Sequence, residues 1–231
     1  MRTIGLLGGM SWESSALYYR LVNEEVRARL GGTHSAECVL YSVDFARIEA
    51  LQEAGDWDRA GSELAAAAGA LQAAGAQLVL LCTNTMHRVA DAVQAAIDVP
   101  LLHIADVTAA AVARDGVTTV GLLGTRYTME QDFYRGRLAT RHGLEVLLPD
   151  ADGRAEVHRV IFEELVRGVV TDVSRVRYRE IMADLVDRGA EGILLGCTEI
   201  ELLVGPDDSA VPLYPTTALH ARAAVDAALA I

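Results

Sequence analysis

The sequence predicts an α/β fold: two pseudo-symmetric three-layer α/β/α domains with mostly parallel sheets and an active site in the cleft between them. Three observations predict it. Short apolar runs alternate with longer helix-patterned segments along all 231 residues, the pattern of parallel strands covered by helices on both faces. The chain also repeats itself. Thr3-Ile4-Gly5-Leu6-Leu7-Gly8 matches Thr119-Val120-Gly121-Leu122-Leu123-Gly124, Gly75-Ala76 matches Gly189-Ala190, and Val99-Pro100-Leu101 matches Val211-Pro212-Leu213. Finally, each half places a reactive side chain at the same offset: Thr83 lies eight residues past Gly75, and Cys197 eight residues past Gly189. A pseudo-two-fold axis would set the two against one another, an arrangement suited to chemistry on both faces of one small molecule.

The elements follow in order. A first strand at 4–7 stops at Gly8-Gly9 and leads to a helix over 11–29, and a second strand is expected at 39–43. A helix over 57–74 ends at Gly75-Ala76, which introduces a strand at 78–81. The polar end of that run, Cys82-Thr83-Asn84-Thr85, opens a helix over 84–96, and Val99-Pro100 introduces a strand at 101–104. The second round has a strand at 117–123, a helix over 128–141, a strand at 145–148 and helices over 156–168 and 172–188. Strands at 193–195 and 211–213 and a helix over 216–229 complete it. The stretches 149–153 and 205–209 are expected to be surface loops, the first the more mobile. The domain division expected is 1–98 together with 213–231, and 99–212.

Composition narrows the function classes. The formal net charge is −12 without a clustered basic stripe, so a nucleic-acid partner lacks its electrostatic footprint. The apolar runs are far too short to span a bilayer, and the N-terminus opens directly on a strand-like segment rather than on a leader pattern. A soluble, cytoplasmic protein is expected. Cys38, Cys82 and Cys197 lack the spacing of a metal or disulfide framework, so reduced thiols and no metal site are expected. All 20 Lys+Arg residues are arginine. With no lysine to form a Schiff base, pyridoxal phosphate chemistry through an internal aldimine is excluded.

Ligand crevices of open α/β sheets lie at the carboxyl ends of the strands. The segments found there are Gly8-Gly9-Met10-Ser11, Cys82-Thr83-Asn84-Thr85, Gly124-Thr125 through Thr128, and Gly196-Cys197-Thr198-Glu199. Each is small or hydroxylated and opens a helix, where backbone N–H groups and the dipole favour carboxylates. A thiol at such a helix start has its pKa drawn below the free value of about 8.5, which would ready Cys197 as a base. Its alternative is a buried small hydrophobe. For Cys38 the core reading is the better one. Cys82 adjoins Thr83, and neighbouring residues on a strand point to opposite faces, so Cys82 is placed away from substrate unless the turn breaks the alternation.

Over essentially its whole length the chain resembles the aspartate/glutamate racemase superfamily, through Ile4-Gly5-Leu6-Leu7-Gly8-Gly9-Met10, Thr83-Asn84-Thr85-Met86-His87 and Gly196-Cys197-Thr198-Glu199. Ser11-Trp12-Glu13-Ser14 makes it most similar to the bacterial broad-specificity aspartate/glutamate racemases. The resemblance implies cofactor-independent chemistry on a small amino acid, with one residue removing the α-proton and another returning a proton from the opposite face. It also implies a homodimer. The family pattern has Cys-Asn-Thr at its first site, where this chain has Thr83-Asn84-Thr85. A hydroxyl is a far weaker acid than a thiol, so the resemblance implies an asymmetric pair: Cys197 as base and Thr83 as opposing donor.

Substrate-holding positions implied by the resemblance are Met10, Ser11, Gln52, Asn84, Thr85, Thr125, Thr128, Thr198 and Glu199. Arg47 competes with Gln52 for the side-chain carboxylate, and the ordinary reading of both is a solvated helix face. Glu199 is read either as the partner of the substrate ammonium or of Cys197, or as a helix N-terminal acid. His87 and His103 are the imidazoles available to orient a reacting group; a histidine in the first turn of a helix also serves simple packing. Competing readings are a superfamily decarboxylase or cis–trans isomerase that needs only Cys197, and a binding protein with little turnover. A dinucleotide site is disfavoured, because Gly5-Leu6-Leu7-Gly8-Gly9 lacks the G-x-G-x-x-G spacing.

Overall fold

Every strand runs parallel to its neighbours, in two four-stranded sheets of the same order, in a computed structural model that describes residues 1–230. The first unit comprises Met1–Ile104 and the stretch from His220 onward. It runs β1 (Ile4–Gly8), α1 (Trp12–Leu30), β2 (Cys38–Ser42), α2 (Phe45–Ala54), α3 (Trp57–Ala73), β3 (Leu78–Leu81), a 3-10 turn (Thr85–Val89), α4 (Ala90–Ala95) and β4 (Leu101–Leu102). Its sheet order is β2-β1-β3-β4.

The second unit, Ala105–Leu219, is entered through α5 (Ile104–Arg114). It continues with β5 (Thr119–Gly124), α6 (Arg126–Glu130), α7 (Asp132–His142), β6 (Glu145–Leu147), α8 (Ala151–Glu163), a 3-10 turn (Leu165–Arg167), α9 (Asp172–Asp187), β7 (Gly192–Gly196), α10 (Ile200–Leu203), a 3-10 turn (Pro206–Asp208) and β8 (Leu213–Pro215). The sheet order is β6-β5-β7-β8. The chain leaves through α11 (Thr216–Leu229).

Near-continuous apolar runs make central parallel strands because both faces are covered, and the first unit shows the partition. Leu7, Val79 and Leu81 point to one face and pack with Ile48 of α2 and Leu64 and Leu71 of α3. Ile4, Leu6, Leu78 and Leu80 point to the other and pack with Tyr18, Val22 and Val26 of α1 and Ala221, Ala224 and Val225 of α11. Each fully buried leucine contributes about 1.5–3 kcal/mol relative to exposure. In the second unit α8 and α9 pack on β5 through buried Val157, Val160, Ile161 and Leu185.

The sequence repeat is a repeat of structure, unit by unit. Ile4 pairs with Leu78, and their equivalents Val120 and Gly192 pair likewise. Val79 pairs with Leu101 as Ile193 does with Leu213. The glycines that introduce the third strand of each sheet share a conformation, φ 98° at Gly75 and 102° at Gly189.

Several expectations shift. Division at 98/99 and 212/213 would detach β4 and β8 from the sheets they follow; both instead hydrogen-bond there, and the crossovers run through α5 and α11. The strand expected at 101–104 is cut to Leu101–Leu102 because Ile104 already starts α5, its N–H donated to Nε2 of His87 at 3.1 Å. The helix expected at 84–96 divides into a 3-10 turn and α4, and that at 128–141 divides at Gln131 into α6 and α7. From Ala151 the 149–153 stretch is helix rather than loop: Asp150 caps α8 by accepting from the Gly153 N–H at 2.7 Å, and Gly153 is buried. α2 was not expected, although Asp44 caps it and Gly55 ends it at φ 71°.

Candidate active site

In a sheet ordered 2-1-3-4 the connections leave in opposite directions from the first and third strands, and the crevice opens at the carboxyl ends of those two. In the first unit these ends are the turns after β1 and β3. Gly9 continues from β1 at φ 95°, and a Cβ there would lie 2.2 Å from the Val43 carbonyl oxygen, so only glycine makes this turn. Its N–H donates to Oγ of Ser15 at 2.7 Å, and that hydroxyl donates to the Ser11 carbonyl at 2.9 Å. Ser11 caps α1, accepting from the Ser14 N–H at 3.3 Å. Met10 and Ser11 are buried.

The turn after β3 carries Thr83, half-buried, with Asn84 and Thr85 buried beside it. Thr83 donates its N–H to Leu81 at 2.8 Å, and its carbonyl lies 2.7 Å from Nδ1 of His87. Gln52 of α2 is buried too, its amide nitrogen 2.9 Å from Sδ of Met86. That contact ties it to the segment holding Asn84 and Thr85. Arg47 is instead on an exposed face, paired with Glu63 at 2.8 Å. Cys82 is fully buried among Ile4, Leu6, Tyr18, Leu78 and Leu80, and burial pushes its thiol pKa far up. Strand alternation holds here, and Cys82 is a core residue. Cys38 packs against the same cluster and is raised by burial as well.

In the second unit the equivalent turns follow β5 and β7. Thr125 caps α6, accepting from the Thr128 N–H at 3.3 Å, with the two hydroxyls 3.2 Å apart. Both threonines are buried. Gly124 and Gly196 pair across β5 and β7, where a Cβ on Gly196 would lie 2.8 Å from the Leu123 carbonyl. Cys197 follows directly and keeps a partly exposed surface; Thr198 and Glu199 are buried, with Thr198 Oγ1 3.2 Å from Thr217 Oγ1.

The electrostatics of Cys197 differ from the sequence expectation. The thiol donates to Oε2 of Glu199 at 2.9 Å. Burial, then the Glu199 charge and this hydrogen bond, hold its pKa well above the ordinary thiol value. The expected helix effect is overridden for a physical reason: α10 is one turn long, and burial together with the Glu199 carboxylate outweighs the Glu199 backbone N–H that faces the sulfur. Two neighbours escaped sequence reasoning. Glu201, the next acid, has its Oε1 buried with no hydrogen-bond partner among the described residues, and burial followed by Glu199 raises its pKa to about 7. Tyr178 of α9 is fully buried, donates to the Val157 carbonyl at 3.0 Å, and is raised by burial and then by Cys197. The Glu-x-Glu spacing 199–201 was legible; that the second acid turns inward was not.

Each unit thus gathers its own expected residues: Met10, Ser11, Gln52, Thr83, Asn84 and Thr85 in the first; Thr125, Thr128, Cys197, Thr198 and Glu199 in the second. Among the described residues no group of His, Cys, Asp or Glu is placed to hold a metal ion, and no helix is long and apolar enough to cross a membrane.

Comparison with known proteins bears directly on this arrangement. The sequence model of the Asp/Glu/hydantoin racemase family matches residues 7–224. The crystal structure of a candidate Asp/Glu racemase from Yersinia pestis is 54% identical, covers 100% of both chains and superposes with a TM-score of 0.95. An aspartate racemase homologue from Pyrococcus horikoshii is 35% identical over 99% of each chain, TM-score 0.85. The broad specificity amino-acid racemase RacX of Bacillus subtilis is 21% identical over 167 residues, 69% of this chain and 68% of its own. With a family match across nearly the whole chain and the same fold in the two crystal structures, the chain belongs to the Asp/Glu/hydantoin racemase family of isomerases.

Proposed function

We propose that the protein racemises aspartate, glutamate or a related amino acid without a cofactor, Cys197 removing the α-proton and Thr83 returning a proton to the other face of the α-carbon. The observation that carries this is positional. Thr83 follows β3 and Cys197 follows β7, the equivalent strand at the switch point of each unit, and the thiol adjoining Thr83 in sequence, that of Cys82, is sealed in the core.

Cys197 rests as a thiol beside the Glu199 carboxylate. An α-ammonium approaching Glu199 offsets the charge that disfavours the thiolate, so substrate binding itself prepares the base. Glu199 Oε2, already accepting from the sulfur, takes the thiol proton, the thiolate takes the α-proton, and the cycle closes when Thr83, having given its proton to the carbanion, regains one from water as Glu199 releases its proton to water. The hydroxyls of Ser11, Thr85, Thr125 and Thr198, with Asn84 and the Gln52 amide, are the donors for two carboxylates. Absence of a cofactor, a homodimeric assembly and a cytoplasmic setting belong to the same reading. A thiol on one side only also suits a decarboxylase that protonates a carbanion from a single face, and the fold is shared with arylmalonate decarboxylase at 16% identity and TM-score 0.54.

Proton NMR of L-glutamate and L-aspartate in D₂O, with chiral analysis of the same sample, separates these. Loss of the α-proton with D-product supports racemisation. Loss without inversion assigns one-base exchange, and no loss overturns the reading. Cys197→Ala is expected to lower exchange by about 10²–10⁴-fold, whereas Thr83→Ala retains exchange and loses inversion.

A further inference from the structure

We infer that His87 is the positioning residue for Thr83, a neutral imidazole that fixes the turn after β3 by holding the Thr83 carbonyl with one ring nitrogen and the start of α5 with the other. Nδ1 lies 2.7 Å from the Thr83 carbonyl oxygen, which can only accept, so Nδ1 carries the proton. Nε2 lies 3.1 Å from the Ile104 N–H, which can only donate, so Nε2 is bare. One tautomer satisfies both bonds. A protonated ring would forfeit the Ile104 bond and set a charge in the core beside His103 and His220, which outweighs the Thr83 and Leu102 carbonyls that favour it.

The surroundings enforce that state. His87 is buried and sits edge-on to two further buried imidazoles, His103 at 4.6 Å and His220 at 5.8 Å between ring centroids. His220 has its own tautomer set: Nε2 faces the Leu102 carbonyl at 2.9 Å, so it donates, and Nδ1 accepts from the Tyr18 hydroxyl at 2.9 Å. Burial, followed by the charge that His103 or His220 would carry, keeps His87 deprotonated well below the usual histidine range. Around Thr83 the backbone offers little else. Among the described residues its N–H bonds to the Leu81 carbonyl, two residues back, and to no other backbone group, and the next helical segment is a 3-10 turn. The imidazole supplies the rigidity that a regular helix would otherwise provide.

This inference rests on Thr83 acting as the proton donor. Variants divide its two bonds. His87→Asn keeps a donor near the Nδ1 position, His87→Gln keeps an acceptor near the Nε2 position, and His87→Leu keeps neither. The quantity to measure is the ratio of inversion to α-proton exchange in D₂O, since exchange needs only Cys197. His87→Leu and His87→Gln should lower that ratio by about 10²-fold, the loss that a misplacement of about 1 Å brings, and His87→Asn should restore much of it. Equal loss of exchange and inversion in all three, in proportion to a fall in Tm, overturns the role. Nitrogen-15 spectra of the wild-type chain supply a readout that does not depend on turnover. The Nδ1–H tautomer persisting at pH 5 is expected, and an Nε2–H or doubly protonated ring overturns the inference. Wild-type protein lacking exchange altogether would overturn the functional reading instead, with the His87 tautomer still deciding whether the tether exists.

Discussion

At the scale of single residues, the decisive contrast is between two side chains in equivalent places. Thr83 is neutral and half-buried, and Cys197 is a thiol held protonated by burial and then by the acid two residues on. The acid disfavours thiolate by its charge and stabilises thiol by accepting its proton. Glu199→Gln removes the charge, so the Cys197 pKa should fall. The pH profile of thiol alkylation, followed at Cys197 by mass spectrometry, should move to lower pH; movement to higher pH would sink this account. Cys197 illustrates what residue-level reading misses. Its flanking Gly196 and Thr198 advertised a helix start, whereas the length of α10 and the direction of the Glu199 carboxylate are set by how that turn packs. Gln52 and Arg47 show the same limit. Both lie on α2, and only their facing separates an amide buried against Met86 from a guanidinium paired with Glu63 in solvent.

At the scale of elements, caps and turns explain both the successes and the errors. α1, α3 and α9 were legible because long periodic segments meet capping residues or glycine. The 149–153 segment misled because Pro149, Asp150 and Gly153 carry turn composition. In the folded chain Asp150 is an N-cap, and Arg154 bonds the Pro149 carbonyl at 2.8 Å and Glu130 at 2.9 Å. Asp150→Ala should cost about 1 kcal/mol of stability, read as a lower urea midpoint. Trypsin should leave the Arg154 bond intact in the native protein and cut it sooner in the variant; rapid native cleavage there would contradict the helix start. Short strands posed the opposite problem. β4 is only two residues long because the bond from Ile104 to His87 starts α5 at once, a contact with a side chain 17 residues earlier.

At the scale of the whole molecule, buried imidazoles make stability sensitive to acid. The pKa of His220 is lowered to about 4 by burial, from about 6.5 when unfolded. The unfolded chain therefore binds more protons between those values. Its contribution is complete above about pH 6.5 and is lost as pH falls toward 4, amounting to about 3 kcal/mol. His87 shifts in the same direction. Tm should fall steeply over that interval, and His220→Gln should flatten the slope while lowering Tm at neutral pH. An unchanged slope would exclude His220 as the titrating group.

By itself the sequence determined the duplicated α/β architecture, the parallel sheets, the residues that end each strand, and the pairing of Thr83 with Cys197 as equivalents. These rest on local periodicity and on similarity along the chain, which need no knowledge of distant contacts. The tertiary structure alone decided that β4 and β8 stay with the sheets they follow, that Cys82 is core, that Glu199 raises rather than spares the Cys197 thiol, and that His87 holds the Thr83 turn. Each depends on where a side chain points and on what lies across the fold from it. Facing, burial and tautomer are set by packing between segments far apart in sequence, and no window along the chain contains them.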